Sequence, residues 1–306
     1  MIKIENVSKS FKMVKALKNI DLEVHEGELF GLVGPDGAGK TTLFNILVTL
    51  THTDEGKAFV GGFDVGKDYR KIKEIIGYLP GQFSLYADLS CYENLDFFAT
   101  LHNSSIEENY EIIKPIWRQL EPFRKRRAGK LSGGMKQKLA LCCALVHRPL
   151  VLFLEEPTTG VDPVSRREFW DILKELKNKN ITILVSTPYM DEASLCDRVG
   201  LIQNGKMLKI GTPTNIVNDF SGMLFSMRTN DMYKIIKKLQ QCEIHFTYYP
   251  FGQHLHMAMP SQEETDKVFV FLEQAGYRKR ALKKTKPTIE DCFIQLMNGE
   301  TTLPIL

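Results

Sequence analysis

The sequence predicts an α/β fold built around a parallel β-sheet, followed by a smaller α+β domain. Three apolar runs, at residues 29–33, 150–154 and 182–186, are continuous rather than alternating, as in strands buried on both faces of a sheet. An amphipathic pattern at 164–177 fits a helix that connects the second run to the third. The first run leads straight into a glycine-rich loop and a second helical pattern at 40–50. A strand, a glycine loop and a helix in this order are what a phosphate cradle requires.

The remaining patterns define the domain organisation. Short alternating runs at 2–6 and 20–24 predict two strands before the first continuous run. Helical periodicity throughout 89–148 predicts a helical insert. We therefore expect a first domain at 1–220 and an accessory domain at 221–306.

The accessory domain shows alternating strand and helix patterns. Without its last helix, the order is that of a ferredoxin-like βαββαβ unit. Strand alternation would place His254 and His256 together on an exposed face, and the lack of a third ligand nearby disfavours a metal site. The predicted elements lie at 223–228, 232–240, 244–249, 254–259, 263–275, 278–283 and 288–297.

Composition and charge exclude several protein classes. The chain has 306 residues, 43% of them hydrophobic, which is enough for one large domain and a smaller one. Its formal net charge is +3, so no strong field favours nucleic acid. The basic cluster at 124–127 is interpreted as a solvated loop. We expect no nucleic-acid partner.

The cysteines and apolar segments predict a cytoplasmic protein. Six cysteines are scattered without metal-binding spacing, as in proteins of a reducing compartment. The amino terminus alternates like a strand and lacks the apolar core of a signal peptide. The most apolar stretch, at 139–153, is shorter than the roughly 20 residues of a membrane span. Any association with a membrane is therefore expected to involve another chain.

The glycine loop GPDGAGKT matches the phosphate-binding pattern GxxxxGK followed by Ser or Thr, between a strand and a helix. The glycines let backbone N–H groups converge on phosphates, Lys40 neutralises their charge, and Thr41 offers a hydroxyl to Mg²⁺. A plain glycine turn would need neither the lysine nor the hydroxyl. A nucleoside triphosphate is therefore the predicted ligand, bound by Gly34, Pro35, Asp36, Gly37, Ala38, Gly39, Lys40, Thr41 and Thr42.

Two further segments carry candidate functional groups. In LSGGMKQ, at 131–137, Ser132 can cap a helix and leave two glycine N–H groups facing an anion, although a plain helix cap is the simpler alternative. Glu155 and Glu156 are adjacent carboxylates at the end of a buried run, which is costly unless they face a cation. A purely structural role for this pair is therefore disfavoured.

In this order, the three motifs resemble those of ATP-binding subunits of ABC transporters, strongly over 1–211. The resemblance implies a RecA-like P-loop NTPase core with an antiparallel β subdomain and the helical insert. It implies ATP and Mg²⁺ as ligands, and a dimer in which the signature segment of one subunit closes on the ATP held by the other. The signature residues are Leu131, Ser132, Gly133, Gly134, Met135, Lys136 and Gln137.

The resemblance also assigns roles to single residues. Glu155 takes the place of the acid that aligns Mg²⁺, together with Thr41 and Gln82, while Glu156 polarises the attacking water. The resemblance therefore assigns catalytic roles to Glu156, Glu155 and Gln82. Asp162, in the GVDP segment, corresponds to the D-loop that touches the second subunit. Phe11 aligns with the aromatic residue that stacks on adenine, although an isolated aromatic is more often part of a core.

Three positions depart from the family pattern. Glu155 replaces an aspartate, Gly81 occupies the place of the Q-loop glutamine with Gln82 one residue later, and Pro188 replaces a histidine that contacts the γ-phosphate. Proline has no side-chain donor. We therefore expect a site that binds ATP and hydrolyses it slowly, whereas the signature segment could complete a competent site on a different subunit.

In finer detail, the chain resembles the first ATP-binding domain of tandem-domain exporters of the ABC-2 class, and its PTIEDCF segment at 287–293 resembles the ending of drug-exporter ATPases. The resemblance implies two partners: an integral membrane permease of ABC-2 type, docked near 83–95, and a second ATP-binding subunit in a homo- or heterodimer. It implies a position on the inner face of the cell membrane.

Two other functions remain open at this point. One is a degenerate, regulatory nucleotide-binding module, suggested by the three departures. The other is a soluble ABC ATPase acting on ribosomes or nucleic acid, for which we expect a second ABC domain or a long basic linker, and the sequence has neither.

Overall fold

The computed structural model describes residues 1–244, 246–277 and 281–300, without the side chains of 298–300. The chain divides into two compact units, Met1–Pro213 and Thr214–Leu306.

Residues 1–213, all of them described, form two β-sheets. Their strands are β1 (Ile2–Phe11), β2 (Val14–Val24), β3 (Leu29–Val33), β4 (Glu55–Val60), β5 (Phe63–Asp64), β6 (Ile76–Leu79), β7 (Val151–Glu155), β8 (Thr182–Thr187), β9 (Arg198–Gln203) and β10 (Lys206–Gly211).

The larger sheet has the strand order β10-β9-β3-β8-β7-β6. β10 runs antiparallel to β9, and the other neighbours are parallel. All residues of β3, β7 and β8 are buried, which explains their continuous apolar sequences. Val33 pairs with Thr187, and Glu155 with Ser186, so the carboxyl ends of these three strands share one edge of the sheet.

The smaller sheet is antiparallel and has the order β2-β1-β4-β5. Its buried residues join a core with the larger sheet and with the helix after the glycine loop. Phe44 of that helix and Phe153 of β7 meet edge to face, with ring centroids 6.1 Å apart. The predicted P-loop NTPase core and antiparallel β subdomain are therefore present.

The helices of the first unit surround the larger sheet and form the insert. They are α1 (Lys40–Leu47), α2 (Tyr69–Ile75), α3 (Cys91–Leu101), α4 (Tyr110–Leu120), α5 (Gly133–Leu145) and α6 (Pro163–Asn178), with 3₁₀ turns at Glu121–Phe123, Ala128–Lys130 and Glu192–Leu195. α3, α4 and α5 lie in the predicted insert. A short helix, α7 (Pro213–Asn218), follows β10.

The helix predicted at 40–50 is shorter in the structure. α1 ends at Leu47, because Thr49 adopts a left-handed backbone with φ of 65°. Leu50 fits the helical spacing but is exposed. The spacing alone therefore placed the helix end three residues too late.

The second unit contains a four-stranded antiparallel sheet in the order β12-β13-β11-β14. The described elements follow the predicted βαββαβ order and end with the helix predicted at 288–297. They are β11 (Met223–Arg228), α8 (Met232–Leu239), β12 (Thr247–Phe251), β13 (His254–Met259), α9 (Gln262–Gln274), β14 (Leu282–Lys284) and α10 (Ile289–Glu300).

Two predicted strands of the second unit differ from those observed. The strand predicted at 244–249 is β12, displaced toward Phe251, and His245 lies outside the described residues. The strand predicted at 278–283 corresponds to β14, and residues 278–280 also lie outside the described part.

The prediction that His254 and His256 share an exposed face is wrong for His256. Its relative exposure is 6%, and its ring stacks on Phe251 with centroids 4.2 Å apart. Its Nδ1 lies 2.7 Å from Oδ1 of Asp291, a residue of α10. His256 is buried because α10 covers this end of the strand, which strand alternation alone does not reveal.

Across the described residues, none of the helices combines the length and the apolar character needed to span a bilayer.

Candidate nucleotide-binding site

The glycine loop connects β3 to α1 in a conformation that needs glycine. Gly39 precedes the helix with φ of 109°, and a Cβ there would lie 2.7 Å from the carbonyl oxygen of Ala16. Gly37 also has a positive φ, of 76°. Because Gly37 and Gly39 carry no Cβ, the loop backbone can approach an anion at the start of α1 closely.

Lys40 holds a buried positive charge at this loop. Its relative exposure is 4%, and Nζ donates to the carbonyl oxygens of Gly34, at 2.8 Å, and Pro35, at 3.0 Å. Nζ also lies 3.1 Å from Oε1 of Glu156. These partners compensate the desolvation of the amine and fix it between the loop and the end of β7.

A cavity of about 840 Å³ opens in front of Lys40. This volume is within the range of ligand sites, roughly 300 to 1,000 Å³. The predicted residues that line it are Asp36, Gly37, Gly39, Lys40, Thr41, Thr42 and Glu156.

Glu156 reaches the cavity through an unusual backbone turn. It follows β7 with φ of 45°, and its N–H donates to the Ser186 carbonyl oxygen at 3.1 Å. A left-handed glutamate is uncommon and points to a conformation set by the surrounding structure. The turn directs Glu156 toward Lys40.

One wall of the cavity was not predicted from the sequence. Asn204 and Gly205, in the turn between β9 and β10, line it and have φ of 49° and 74°. Gly205 receives a hydrogen bond from the N–H of Lys18 at 2.8 Å and donates one to Ala38 at 2.9 Å. The Asn-Gly pair is a hairpin signal, but its contact with the glycine loop comes from tertiary structure.

Phe11, predicted to stack on adenine, is not among the residues that line the cavity. Its relative exposure is 50%, and the Lys9 amine lies 5.5 Å from its ring centroid. Met13 and Val14, just beyond Phe11, are exposed and do line the cavity. The stacking role of Phe11 stays a prediction.

The signature segment begins α5 as predicted. The Ser132 hydroxyl accepts from the Met135 N–H at 3.4 Å. A Cβ on Gly134 would lie 2.8 Å from Cβ of Ser165 on α6, so close helix packing requires glycine there. Gly133 has no such neighbour and is exposed with Ser132. The segment therefore presents backbone and hydroxyl groups at the surface.

Asp162, the predicted D-loop residue, caps α6. Its Oδ1 accepts from the N–H groups of Val164, at 3.1 Å, and Ser165, at 3.0 Å. Hydrogen bonds from Ser165 and Val164 hold the pKa of Asp162 below its usual range.

Comparison with known proteins places this geometry in a family. A family model described as ABC transporter matches residues 17–159. The Probable multidrug ABC transporter ATP-binding protein YbhF of Escherichia coli (strain K12) is 38% identical over 294 residues, covering 94% of this chain and 50% of YbhF. The linearmycin resistance ATP-binding protein LnrL of Bacillus subtilis (strain 168) is 35% identical over 227 residues, covering 72% of each chain. The chain belongs to the ABC transporter ATP-binding family.

A solved ABC cassette agrees with this assignment. The dimeric structure of the cassette MJ0796 matches with a TM-score of 0.63 and 28% identity, over 69% of this ABC chain and 98% of the cassette. The same cassette is known as a dimer in a post-hydrolysis state with ADP and Pi. The ABC chain spans about half the length of YbhF.

The first departure from the family pattern, Glu155, is turned away from the cavity. Its relative exposure is 7%, and its Oε2 accepts from the Tyr78 hydroxyl at 3.0 Å and from the Gly81 N–H at 3.4 Å. Burial, followed by the Glu155 charge and hydrogen bond, raises the pKa of Tyr78. Of the predicted magnesium ligands Thr41, Gln82 and Glu155, only Thr41 lines the cavity.

The second departure leaves Gln82 outside the site of this ABC chain. Its side chain is exposed, and it forms no hydrogen bond with the described residues. The backbone N–H of Gly81 and the Tyr78 hydroxyl are instead the groups that face Glu155. The predicted catalytic role of Gln82 is therefore not supported by a contact.

At the third departure, a buried acid organises the loop around Pro188. Glu192 accepts hydrogen bonds from Thr158, at 2.7 Å, and from Thr187, and it is 2% exposed. The Arg166 Nε lies 3.5 Å from the same carboxylate. Thr187 in turn accepts from the Tyr189 N–H at 3.0 Å. This network was not predicted from the sequence, and its hydrogen bonds and ion pair do not involve Pro188.

The donor set of the cavity fits a triphosphate. It combines the backbone of the glycine loop, the buried ammonium of Lys40 and the hydroxyl of Thr41 at the start of α1. For Mg²⁺, the lining groups are the Thr41 hydroxyl and the carboxylates of Asp36 and Glu156. The residues present therefore fit both groups, with Glu156 rather than Glu155 as the nearest acid to Lys40.

Proposed function

We propose that the chain is the ATP-binding and ATP-hydrolysing subunit of an ABC transporter. In this proposal, ATP-driven closure of a dimer is coupled to export of a substrate by a separate membrane permease. The single observation that carries it is the pairing of Lys40 with Glu156 across one cavity at the glycine loop. The names of YbhF and LnrL, a multidrug and a resistance protein, support export.

At the chain's own site, Lys40 and the loop N–H groups bind the phosphates, and Glu156 orients and polarises a water for in-line attack. Bound Mg²⁺ would neutralise developing charge on the phosphate oxygens. Thr41 and a lining carboxylate are the groups that would hold it.

The second site element acts on another subunit. Ser132 and Gly133 are exposed at the start of α5, where N–H groups and the helix dipole favour an anion. We assign Leu131 through Gln137 to the γ-phosphate held by a second ATP-binding subunit, with Asp162 beside that interface. The dimeric MJ0796 cassette supports this arrangement.

We expect slow hydrolysis at the chain's own site. Pro188 offers no donor to a γ-phosphate, and Gln82 is exposed. The loss of one preorganised donor reduces turnover by about 10² to 10³ where such donors have been removed. A second subunit with an intact loop would gain a sound signature segment from this chain, which favours a heterodimer.

The surface at 83–95 is the proposed contact with an ABC-2 type permease. Phe83, Tyr86 and Tyr92 are exposed there. They lie next to a groove of about 740 Å³ whose lining includes Leu79, Pro80, Leu85, Phe98 and Leu101. Docking there would hold the chain peripherally on the inner face of the cell membrane.

The test is a binding titration with ATP together with turnover measurements, with and without Mg²⁺. The chain alone is expected to bind ATP and release phosphate slowly, and a second ATP-binding subunit should raise turnover. Absence of ATP binding would overturn the proposal.

A regulatory nucleotide-binding module is the second candidate, favoured by Glu155 facing Gly81 and by the exposed Gln82. Binding without hydrolysis in the presence of every candidate subunit would select it.

A further inference from the structure

Two of the three departures from the family pattern touch each other. Glu155 is the last residue of β7. Gly81 lies in the loop that follows β6, the strand next to β7 in the sheet. The Gly81 N–H lies 3.4 Å from Oε2 of Glu155, and the Tyr78 hydroxyl lies 3.0 Å from the same atom. One carboxylate oxygen of Glu155 therefore contacts both β6, at Tyr78, and the loop that follows β6, at Gly81.

The space around Gly81 fits this contact. A Cβ on Gly81 would lie 3.5 Å from Cγ and 3.5 Å from the carbonyl oxygen of Glu155, at van der Waals distance. A longer side chain at position 81 would start directly against Glu155. An aspartate at position 155 would be one methylene shorter, moving its carboxylate by about an ångström or more away from the Gly81 N–H.

We propose that Glu155 is a positioning residue, matched to Gly81, that fastens the loop after β6 to the end of β7. Its carboxylate is not part of the cavity lining that would hold Mg²⁺. This inference rests on the proposed function, because it concerns how the same site uses Mg²⁺.

The contact extends to the signature segment. The loop continues from Gly81 to Phe83, whose ring centroid lies 5.1 Å from Nζ of Lys136 in the first turn of α5. The described contacts therefore run from Glu155 through the loop to α5. Because the Glu155 carboxylate contacts this loop, the groups left to hold Mg²⁺ are those that line the cavity, Thr41, Asp36 and Glu156. We therefore expect Mg²⁺ to add less to the affinity for nucleotide than it would if the acid at position 155 faced the cavity.

The experiment is a double-mutant cycle with Glu155→Asp, Gly81→Gln and both together in the full chain. The first readout is the melting temperature without nucleotide. Glu155→Asp should lower it in the natural background, because the shorter acid no longer reaches the Gly81 N–H and the Tyr78 hydroxyl. The loss should be smaller beside Gly81→Gln, whose side chain begins in van der Waals contact with residue 155. This non-additivity tests the matched pair directly.

The second readout is the ratio of ATP dissociation constants in EDTA and in Mg²⁺, which a merely structural role would not change. We expect a ratio below about threefold for the natural chain and above about tenfold for the double variant. Tyr78→Phe, which removes one donor to Glu155, should raise the ratio. Tyr69→Phe, at an exposed tyrosine of α2, should leave it unchanged.

Additive effects in the melting cycle, or a ratio above about tenfold in the natural chain, would overturn the proposal. If no variant binds ATP, the proposed function fails, and the melting cycle alone still decides whether Glu155 and Gly81 are matched.

Discussion

Nζ of Lys40 lies 3.1 Å from the carboxylate of Glu156, so the buried amine at the glycine loop and the acid after β7 form an ion pair in the wall of one cavity. The lysine comes from the start of α1 and the glutamate from a left-handed turn. The roles proposed for them, phosphate binding for Lys40 and water activation for Glu156, can be separated by experiment.

Lys40→Ala should weaken ATP binding by at least about 100-fold, because a buried ammonium at the phosphates is lost. Isothermal titration with ATP measures the effect. Lys71→Ala, at an exposed lysine of α2 that pairs with Asp68 and lies over the Phe63 ring, serves as the control and should bind ATP normally. Unchanged affinity in Lys40→Ala would remove the glycine loop from the site.

Glu156→Gln should retain ATP affinity within about threefold while single-turnover hydrolysis falls by about 10² or more, the range of a lost general base. The amide keeps the shape but does not polarise water as a carboxylate does. Phosphate release from excess enzyme is the measurement. Equal rates for both proteins would exclude Glu156 as the activating group.

Pro188→His should raise turnover by up to about 10²-fold in the Glu155→Asp and Gly81→Gln background, since a donor to the γ-phosphate is restored. Pro188→Ala, which adds no donor, is the matched control. No increase with histidine would place the rate limit elsewhere in the site.

Gly134→Ala should destabilise the chain by about 1 to 3 kcal/mol, because the added Cβ would meet Ser165 at 2.8 Å. Gly133→Ala is the control one residue earlier, where the nearest atom to a Cβ is the Gly160 carbonyl oxygen at 3.6 Å. Denaturant unfolding should separate the two, and equal stabilities would contradict the packing of α5 on α6.

Asp291→Asn should destabilise the second unit at neutral pH by about 3 kcal/mol. Burial alone would raise the pKa of Asp291, but hydrogen bonds from His256, Thr288 and Tyr249 outweigh it and lower that pKa. A lowered pKa means that the stabilisation is complete above the usual aspartate range and is lost as pH falls through the lower, folded value. When unfolding is measured at pH values from 7 downward, the free energy of unfolding should therefore fall less with pH in Asp291→Asn than in the natural chain.

If the free energy of unfolding did not change with pH in either the natural chain or Asp291→Asn, the ionisation of Asp291 would not be coupled to folding. His256→Leu probes the same site from the other side. It should also destabilise the unit, because it removes a donor 2.7 Å from the carboxylate.

Local patterns predicted the buried strands, the glycine loop and the capped start of α5, because each depends on neighbouring residues along the chain. The orientations of Glu155 and Glu156 were not predictable in this way. Both are acids at the same strand end, and only the left-handed turn at Glu156 and the tyrosine on β6 direct one toward the cavity and the other away from it.

Tertiary contacts explain the other differences. Asn204 and Gly205 indicated a turn, but nothing local indicated that this turn lines the cavity. His256 followed strand alternation, yet Asp291, thirty-five residues later, buries it. The Thr158 and Thr187 hydroxyls meet on Glu192 only because the carboxyl ends of β7 and β8 adjoin.

The Glu192 network separates folding from catalysis in the loop after β8. A buried acid, two threonines and Arg166 anchor the loop, and the side chain at position 188 is not part of this network. In the proposed function, a change at position 188 would alter the donor offered to the γ-phosphate and leave the hydrogen bonds that anchor the loop in place. The same anchored loop would then suit either a fast subunit or one specialised for holding nucleotide.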